Sequence, residues 1–389
     1  MTIKLALITS HPIQYNAPLF KHLALCSNIS VKVFYTLQRE NVEFDKGFGI
    51  DVIWDIPLLS GYDYQFVSNS RKGKNYYWSS KSRELINLVN EFGATYILVF
   101  GWNYFSHYRA MSYFKNKIPV LFRGDSTLID KKNIFYRILR LILLSFIYRK
   151  VDYALYVGTA NREYFLKFGL KSNKLIFAPH AIDNGRFEKI NNEHLIFINN
   201  IRIEFGISED SFTVIFCGKL LEKKNPLLLI QAINIINNPN LHLIIVGSGL
   251  LDDSLKKASK AYRNVHFLPF QNQSLMPAIY RLGDIFCLPS KGPGESWGLA
   301  INEAMACNRA ILVSNKCGCA IDLVKNGFNG YIFESDNLFD LVLKLRLMIA
   351  NRNDLKEMGK NSKKMIESWN YDQIVKTINT EIFNIGESI

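Results

Sequence analysis

Short apolar runs of strand length recur along the whole chain, and no other feature restricts its fold as much. In the first half they fall at residues 5–8, 31–35, 96–100, 120–122, 153–157 and 175–177. The second half repeats the plan at 213–216, 241–246, 265–268, 285–288, 311–313 and 331–333. Continuous runs this short, with longer amphipathic stretches between them, are the pattern of parallel strands buried on both faces and joined by crossover helices. The rhythm lapses around Glu188-Lys189-Ile190-Asn191-Asn192-Glu193. At about 150 residues per domain, 389 residues also exceed one core of usual size. The expected fold is therefore α/β, with two doubly wound parallel sheets in domains spanning residues 1–190 and 191–370.

Strand ends in both halves run into Gly, Pro or Ser: Gly101, Gly124, Gly158 and Pro179, then Gly218, Gly247-Ser248-Gly249, Pro289-Ser290 and Ser314. Ligands of open α/β sheets bind outside the carboxyl ends of strands, so these loops are where a site is expected, in a cleft if the two sheets face each other. The richest loop is Gly294-Glu295-Ser296-Trp297-Gly298-Leu299-Ala300-Ile301-Asn302-Glu303. It follows an expected strand and opens an expected helix, whose first NH groups and dipole end suit an anion such as phosphate. Glu295 before the helix and Glu303 about two turns into it add hydroxyl acceptors on either side. Hydroxyls, phosphate and more hydroxyls describe a nucleotide sugar; a plain strand-loop-helix with two solvated glutamates is the competing account.

A second loop, Cys217-Gly218-Lys219-Leu220-Leu221-Glu222-Lys223-Lys224-Asn225-Pro226, places Lys219 and Lys224 between a strand end and a helix start marked by Asn225-Pro226. Two ammonium groups there can reach one diphosphate, although loop lysines are also often only solvated. In the first half, His11 of His11-Pro12-Ile13-Gln14-Tyr15 follows the first strand, where it faces the expected cleft as a catalytic candidate, although a lone His is more often a structural hydrogen bonder. Arg123 and Asp125 of Arg123-Gly124-Asp125-Ser126 end another strand, where they can meet a sugar or acceptor, or Asp125 can simply cap a helix. His180 near the domain join fits an architectural role. No Asp-x-Asp occurs and Asp252-Asp253 has no companion ligands, so no metal is expected and lysines and helix dipoles must neutralise a diphosphate.

The six cysteines, at 26, 217, 287, 307, 317 and 319, include one close pair, Cys317-Gly318-Cys319, without a His cluster, and fit buried thiols in a reducing compartment, the cytoplasm. The opening Met1-Thr2-Ile3-Lys4-Leu5-Ala6-Leu7-Ile8 reads as a first strand rather than a leader. A formal charge of +13 calls for an anionic partner. The segment 131–150 is basic at both ends and apolar between, with Arg137 and Arg140 on one narrow face. It suits either a helix lying in an anionic membrane interface or a mostly buried domain helix with a thin polar stripe. A further basic and aromatic stretch, Arg71-Lys72-Gly73-Lys74-Asn75-Tyr76-Tyr77-Trp78, carries no nucleic-acid motif, so nucleic acid is not an expected partner.

With these residues in hand, the chain resembles retaining glycosyltransferases of the GT-B fold, in the large glycosyltransferase family four that includes bacterial surface-glycan enzymes. The resemblance is specific from Val214 to about Asn329, where the Gly-Lys loop, Val246-Gly247-Ser248-Gly249, Leu288-Pro289-Ser290 and the Glu295 to Glu303 element follow the family's order. The His-Pro-Ile-Gln-Tyr opening and Arg-Gly-Asp-Ser resemble a bacterial subgroup more loosely. The resemblance implies two Rossmann-like domains facing a cleft, with a helix in 371–389 crossing back to the first, acceptor-binding domain. It implies that Glu295 holds donor-sugar hydroxyls, Glu303 the ribose, and the backbone amides of Trp297, Gly298 and Leu299 the sugar and phosphate, with Ser296 and Gly218 also lining the donor site. Lys219, where the family usually has Arg, and Lys224 would stabilise the leaving diphosphate. The implied activity is metal-independent transfer of a hexose from a nucleotide diphosphate sugar to a glycan acceptor, lipid-linked, at the inner face of the cell membrane, with no cofactor. A nucleotide-sugar epimerase of the same fold and a non-catalytic binding protein for anionic lipid are the alternatives.

Overall fold

The computed structural model describes residues 3–37, 43–67, 82–130 and 133–387. Arg71 to Trp78, Lys131 and Lys132 lie outside them. The chain divides into two units: Met1–Asn41, Pro57–His180 and Tyr371–Ile389 form the first, and Val42–Ile56 and Ala181–Asn370 the second.

In chain order the strands begin with β1 (Ile3–Thr9), β2 (Ile29–Tyr35), the short hairpin β3 (Glu43–Asp45) and β4 (Ile50–Val52), and β5 (Asp63–Phe66). β6 (Tyr96–Phe100), β7 (Val120–Arg123), β8 (Tyr153–Tyr156) and β9 (Leu175–Phe177) follow. The first unit's sheet runs β5-β2-β1-β6-β7-β8-β9, with every pairing parallel. Leu5, Ala6, Leu7 and Ile8 of β1 are all fully buried, so both faces of the strand are covered and the sequence shows a run instead of an alternation. β3, β4 and β5 escape the run pattern because they are three or four residues long and interleaved with Glu43, Asp45, Asp51, Asp63 and Gln65.

The second unit holds β10 (Phe212–Cys217), β11 (Leu241–Val246), β12 (Val265–Leu268), β13 (Ile285–Leu288), β14 (Ala310–Ser314) and β15 (Gly330–Phe333). They form a second all-parallel sheet in the order β12-β11-β10-β13-β14-β15. From β10 the chain builds outward through β11 and β12, then returns to the other side of β10 with β13. The loops after β10 and β13 therefore diverge at a topological switch point, the position where this class of sheet opens a crevice. In the first unit the same reversal falls between β1 and β6.

The closing helix Tyr371–Glu387 belongs to the first unit, the return expected of it. Its buried residues Tyr371, Ile374, Ile378, Ile382 and Ile385 recur every three or four positions and so make one face. Tyr371 Oη donates to the Tyr15 carbonyl at 2.9 Å, and Tyr96 Oη donates to that of Ile382 at 3.0 Å.

The helix Ile134–Tyr148 departs from the buried reading of its sequence. Only Leu144, Ile147 and Tyr148 of it are buried, and Phe135 is 76% exposed. Among the described residues no helix is long and apolar enough to cross a membrane.

Candidate functional site

The loop after β10 and the loop after β13 meet in the second unit. Lys224 closes a single 3-10 turn, Glu222–Lys224, that ends on Asn225 in the left-handed region (φ 54°), a conformation Asn tolerates better than most residues. Pro226 then begins the helix Pro226–Ile236, where its missing NH costs nothing. The Lys291 amide donates to the Lys223 carbonyl at 2.9 Å, and Lys291 Nζ pairs with Glu222 at 3.0 Å, so the two loops are tied by backbone and by charge.

Across that junction Lys224 Nζ forms an ion pair with Glu295 Oε2, which also accepts from Ser290 Oγ at 3.1 Å. The side chains keep only 18% and 10% of their exposure, so water screens the pair poorly. Cys317 lies close enough to feel both charges. Burial is the largest influence on its thiol, Glu295 adds to it and Lys224 opposes it, and the result is a pKa pushed up to about 12. This thiol is protonated at neutral pH and is no nucleophile. Cys217, Cys287, Cys307 and Cys319 are likewise buried, as expected, while Cys26 is only half-buried.

Gly298 caps the helix Leu299–Ala306 with φ 100° and has no side chain to offer its first amides. The positive φ favours glycine, and a Cβ there would also stand a tight 3.1 Å from Leu288 Cδ2. Ser296 and Trp297 are held in place from the next loop: Gly318 N donates to the Glu295 carbonyl and Cys319 N to that of Trp297, each at 3.1 Å. Trp297 is buried, donates Nε1–H to Asn302 Oδ1 at 2.9 Å and stacks obliquely on Trp369. Its side chain is thus part of the scaffold. Glu303, 2% exposed on the second turn, accepts from Tyr280 Oη at 2.6 Å, and its charge helps raise the pKa of Cys217 at the end of β10.

Lys219 is not drawn to the Lys224–Glu295 pair. Its Nζ sits 2.8 Å from both oxygens of Asp45 and 5.0 Å over the Phe48 ring, in the β3–β4 hairpin. Burial raises the Asp45 pKa, but hydrogen bonds from Lys219 and from the Phe48 and Gly47 amides outweigh it, and the carboxyl ends below its ordinary value. The hairpin is fixed on the second unit's loops: Ser248 Oγ donates to the Phe48 carbonyl at 2.9 Å, and Phe48 packs edge-on against Phe270. Gly247 and Gly249 allow this crowding, since a Cβ would come within 2.0 Å of the Gly218 carbonyl oxygen and 2.9 Å of the Gly47 one. Sequence reasoning missed Asp45 because its partner lies 174 residues away.

In the first unit, His11 Nδ1 is 2.8 Å from Ser10 Oγ, directly after β1. Arg123 is buried, and its forked donors reach the carbonyls of Ala178 and Pro179, each at 2.8 Å. Desolvation lowers its pKa to about 10 against the pull of Asp125 and Tyr371. His180 lies in the same cluster; desolvation lowers its pKa to about 4, with Arg123 reinforcing and Asp125 opposing. The Arg123 fork therefore serves chain geometry, and Asp125 is its electrostatic neighbour. Among the described residues no three His, Cys, Asp or Glu side chains gather as a metal-ligand group.

Two parallel sheets with these strand orders define the fold of GT-B glycosyltransferases. The chain matches the crystal structure of Anabaena Alr3699/HepE in complex with UDP and glucose at a TM-score of 0.72 and 15% identity, covering 98% of this chain and 100% of that one. Residues 197–365, most of the second unit, match the family of glycosyl transferases group 1. An uncharacterized glycosyltransferase of Haemophilus influenzae is 30% identical over 169 residues, 42% of this chain and 47% of that protein. The capsular polysaccharide biosynthesis glycosyltransferase CapM of Staphylococcus aureus is 25% identical over 213 residues, 53% of this chain and 54% of that one. The chain spans about half the length of these curated relatives.

Proposed function

We propose that the chain is a retaining hexosyltransferase of the bacterial surface-glycan type, moving a hexose from a nucleotide diphosphate sugar to a lipid-linked glycan acceptor in the cytoplasm. The observation that carries this reading is the Lys224–Glu295 pair at the β10/β13 switch point, beside the helix start at Gly298. A donor sugar hydroxyl would displace Lys224 from Glu295, releasing the ammonium for the diphosphate. The bond from the anomeric carbon to the diphosphate oxygen breaks as the bond to the acceptor oxygen forms on the same face. The acceptor proton passes to the departing phosphate oxygen, so no protein nucleophile is needed. Lys224 and the first amides of Leu299–Ala306 stabilise the developing phosphate charge, joined by Lys219 once it leaves Asp45. Glu303, held by Tyr280, receives the ribose hydroxyls, and His11 serves the acceptor side with Arg123 and Asp125 shaping the wall behind it. The cations take the place of a divalent metal, so chelator leaves transfer unchanged.

The test is sugar transfer with a panel of nucleotide sugars in Glu295→Gln and Lys224→Ala. Each substitution is expected to lower kcat by roughly 10²–10³, the usual effect of removing one charge-stabilising group. Unchanged turnover in both would sink the assignment, and product from donor alone would point to an epimerase.

A further inference from the structure

We infer that the outward face of the helix Ile134–Tyr148 is a docking surface for an anionic lipid bilayer. Asn133 caps this helix, its side-chain oxygen accepting from the Tyr136 amide at 2.8 Å. Its orientation is inverted relative to an ordinary amphipathic helix. Arg140 faces the body of the unit, donating to Tyr164 Oη at 2.8 Å with its guanidinium 5.4 Å from that ring. Leu144, Ile147 and Tyr148 share that side and anchor the helix. The opposite side carries Phe135, Ile138, Leu139, Ile142 and Phe146, exposed by 76, 52, 57, 65 and 51%. Positions i, i+3, i+4, i+7 and i+11 form one continuous stripe, so these five side chains make a single apolar band directed away from the protein. An exposed contiguous apolar patch marks a surface that is covered in use.

Charge selects the occupant. From Asn133 to Val151 the sequence has four cations, Arg137, Arg140, Arg149 and Lys150, and not one Asp or Glu. Arg137 and Arg149 are exposed, and Lys150 Nζ lies 5.6 Å from the Phe146 ring at the end of the band. Cations at the level of the headgroups, with aliphatic and aromatic side chains below them, are the arrangement of a helix lying in an anionic interface. A second copy of the chain fits less well, because pairing two such faces would bring like charges together with no carboxylate in either segment to answer them. At 1.5 Å per residue the 15-residue helix is about 22 Å long, shorter than the roughly 30 Å hydrocarbon layer, so it lies in the plane and does not span.

Docking needs no catalytic step and stands apart from the proposed activity, although it would hold the first unit near a lipid-linked acceptor. The test is flotation of the full chain with phosphatidylglycerol-containing and with pure phosphatidylcholine vesicles. Wild type is expected to float with the anionic vesicles and at least about tenfold less with the neutral ones. Phe135→Glu/Ile142→Glu should lose at least about tenfold in binding with an unchanged melting curve, because neither side chain is buried. Arg137→Glu/Arg149→Glu should weaken binding and flatten its salt dependence. The fluorescence of Phe135→Trp should be quenched by brominated acyl chains. Wild type that ignores anionic vesicles, or a glutamate variant that floats equally well, would overturn the assignment. So would a wild-type dimer in sedimentation that the glutamate variant abolishes, since the face would then belong to a second copy.

Discussion

A single methyl group at Gly318 should disable the site without touching a charged residue. Built on the present backbone, a Cβ there would stand 1.7 Å from the Ser296 carbonyl oxygen, 2.5 Å from its carbon and 3.2 Å from the Trp297 nitrogen. Real Cβ contacts stop near 3.0 Å, so the two segments must part by more than 1 Å. Separation lengthens both 3.1 Å bonds that hold 295–297, from Gly318 N to Glu295 O and from Cys319 N to Trp297 O. Each bond contributes about 1 kcal/mol net, and overpacking adds roughly 1–3 kcal/mol. Because the two costs overlap, Gly318→Ala should lose about 2–4 kcal/mol in chemical denaturation. A 1 Å displacement of Glu295 should also reduce kcat by roughly 10²-fold. Gly185→Ala is the matched control, since its nearest neighbour would be Asp183 Oδ1 at an ordinary 3.6 Å. Native stability together with a rate within about twofold of wild type in Gly318→Ala would refute the claim that this contact sets the position of Glu295.

Asp45→Asn should free Lys219 for phosphate and tighten nucleoside diphosphate binding about fivefold, the effect of ~1 kcal/mol from one removed negative charge near the surface. Calorimetric titration decides it, and weaker binding would mean that Asp45 aims Lys219 instead of competing for it. The pH dependence of stability should carry a His107 contribution. Its Nδ1 lies 3.0 Å from the Gly101 carbonyl, which can only accept, so Nδ1 bears the proton and Nε2 accepts from Thr36 Oγ1. Burial lowers its pKa from 6.5 to about 4 against hydrogen bonds to the backbone of Gly101 and Phe100. The unfolded chain then binds the extra proton first, and stability falls as pH drops from 6.5 toward 4, by about 2 kcal/mol between pH 7 and 5. Denaturation of His107→Gln across that window should show a slope smaller by that amount, and an unchanged slope would assign the acid sensitivity elsewhere.

The parallel strands were legible because burial on both faces leaves an unbroken apolar run, as in Tyr96–Phe100 or Leu241–Val246, both of which the runs reproduce residue for residue. The loops bearing Lys224, Glu295 and Glu303 were legible for the same reason, since strand ends could be located. What could not be read was long-range pairing. Nothing near Lys219 signals Asp45, nothing near Ser296 signals the Gly318 backbone pressed against it, and Tyr280 is an ordinary apolar-face tyrosine until Glu303 is beside it. The helix Ile134–Tyr148 misleads in another way: its apolar content shows that its surface avoids water, but not which direction that surface faces.

The β3–β4 hairpin has a consequence for how the chain can be recombined. Val42–Ile56 is encoded within the first half yet belongs to the second unit, where Asp45 neutralises Lys219 and Phe48 and Trp54 flank Phe270. Grafting Ala181–Asn370 alone onto another enzyme would leave behind the carboxylate and two aromatic rings that these loops are built around. Exchange of second units between proteins of this fold, by engineers or by gene conversion, must therefore carry two separate stretches of coding sequence, and a single crossover near residue 180 should yield hybrids in which Lys219 has lost its carboxylate partner.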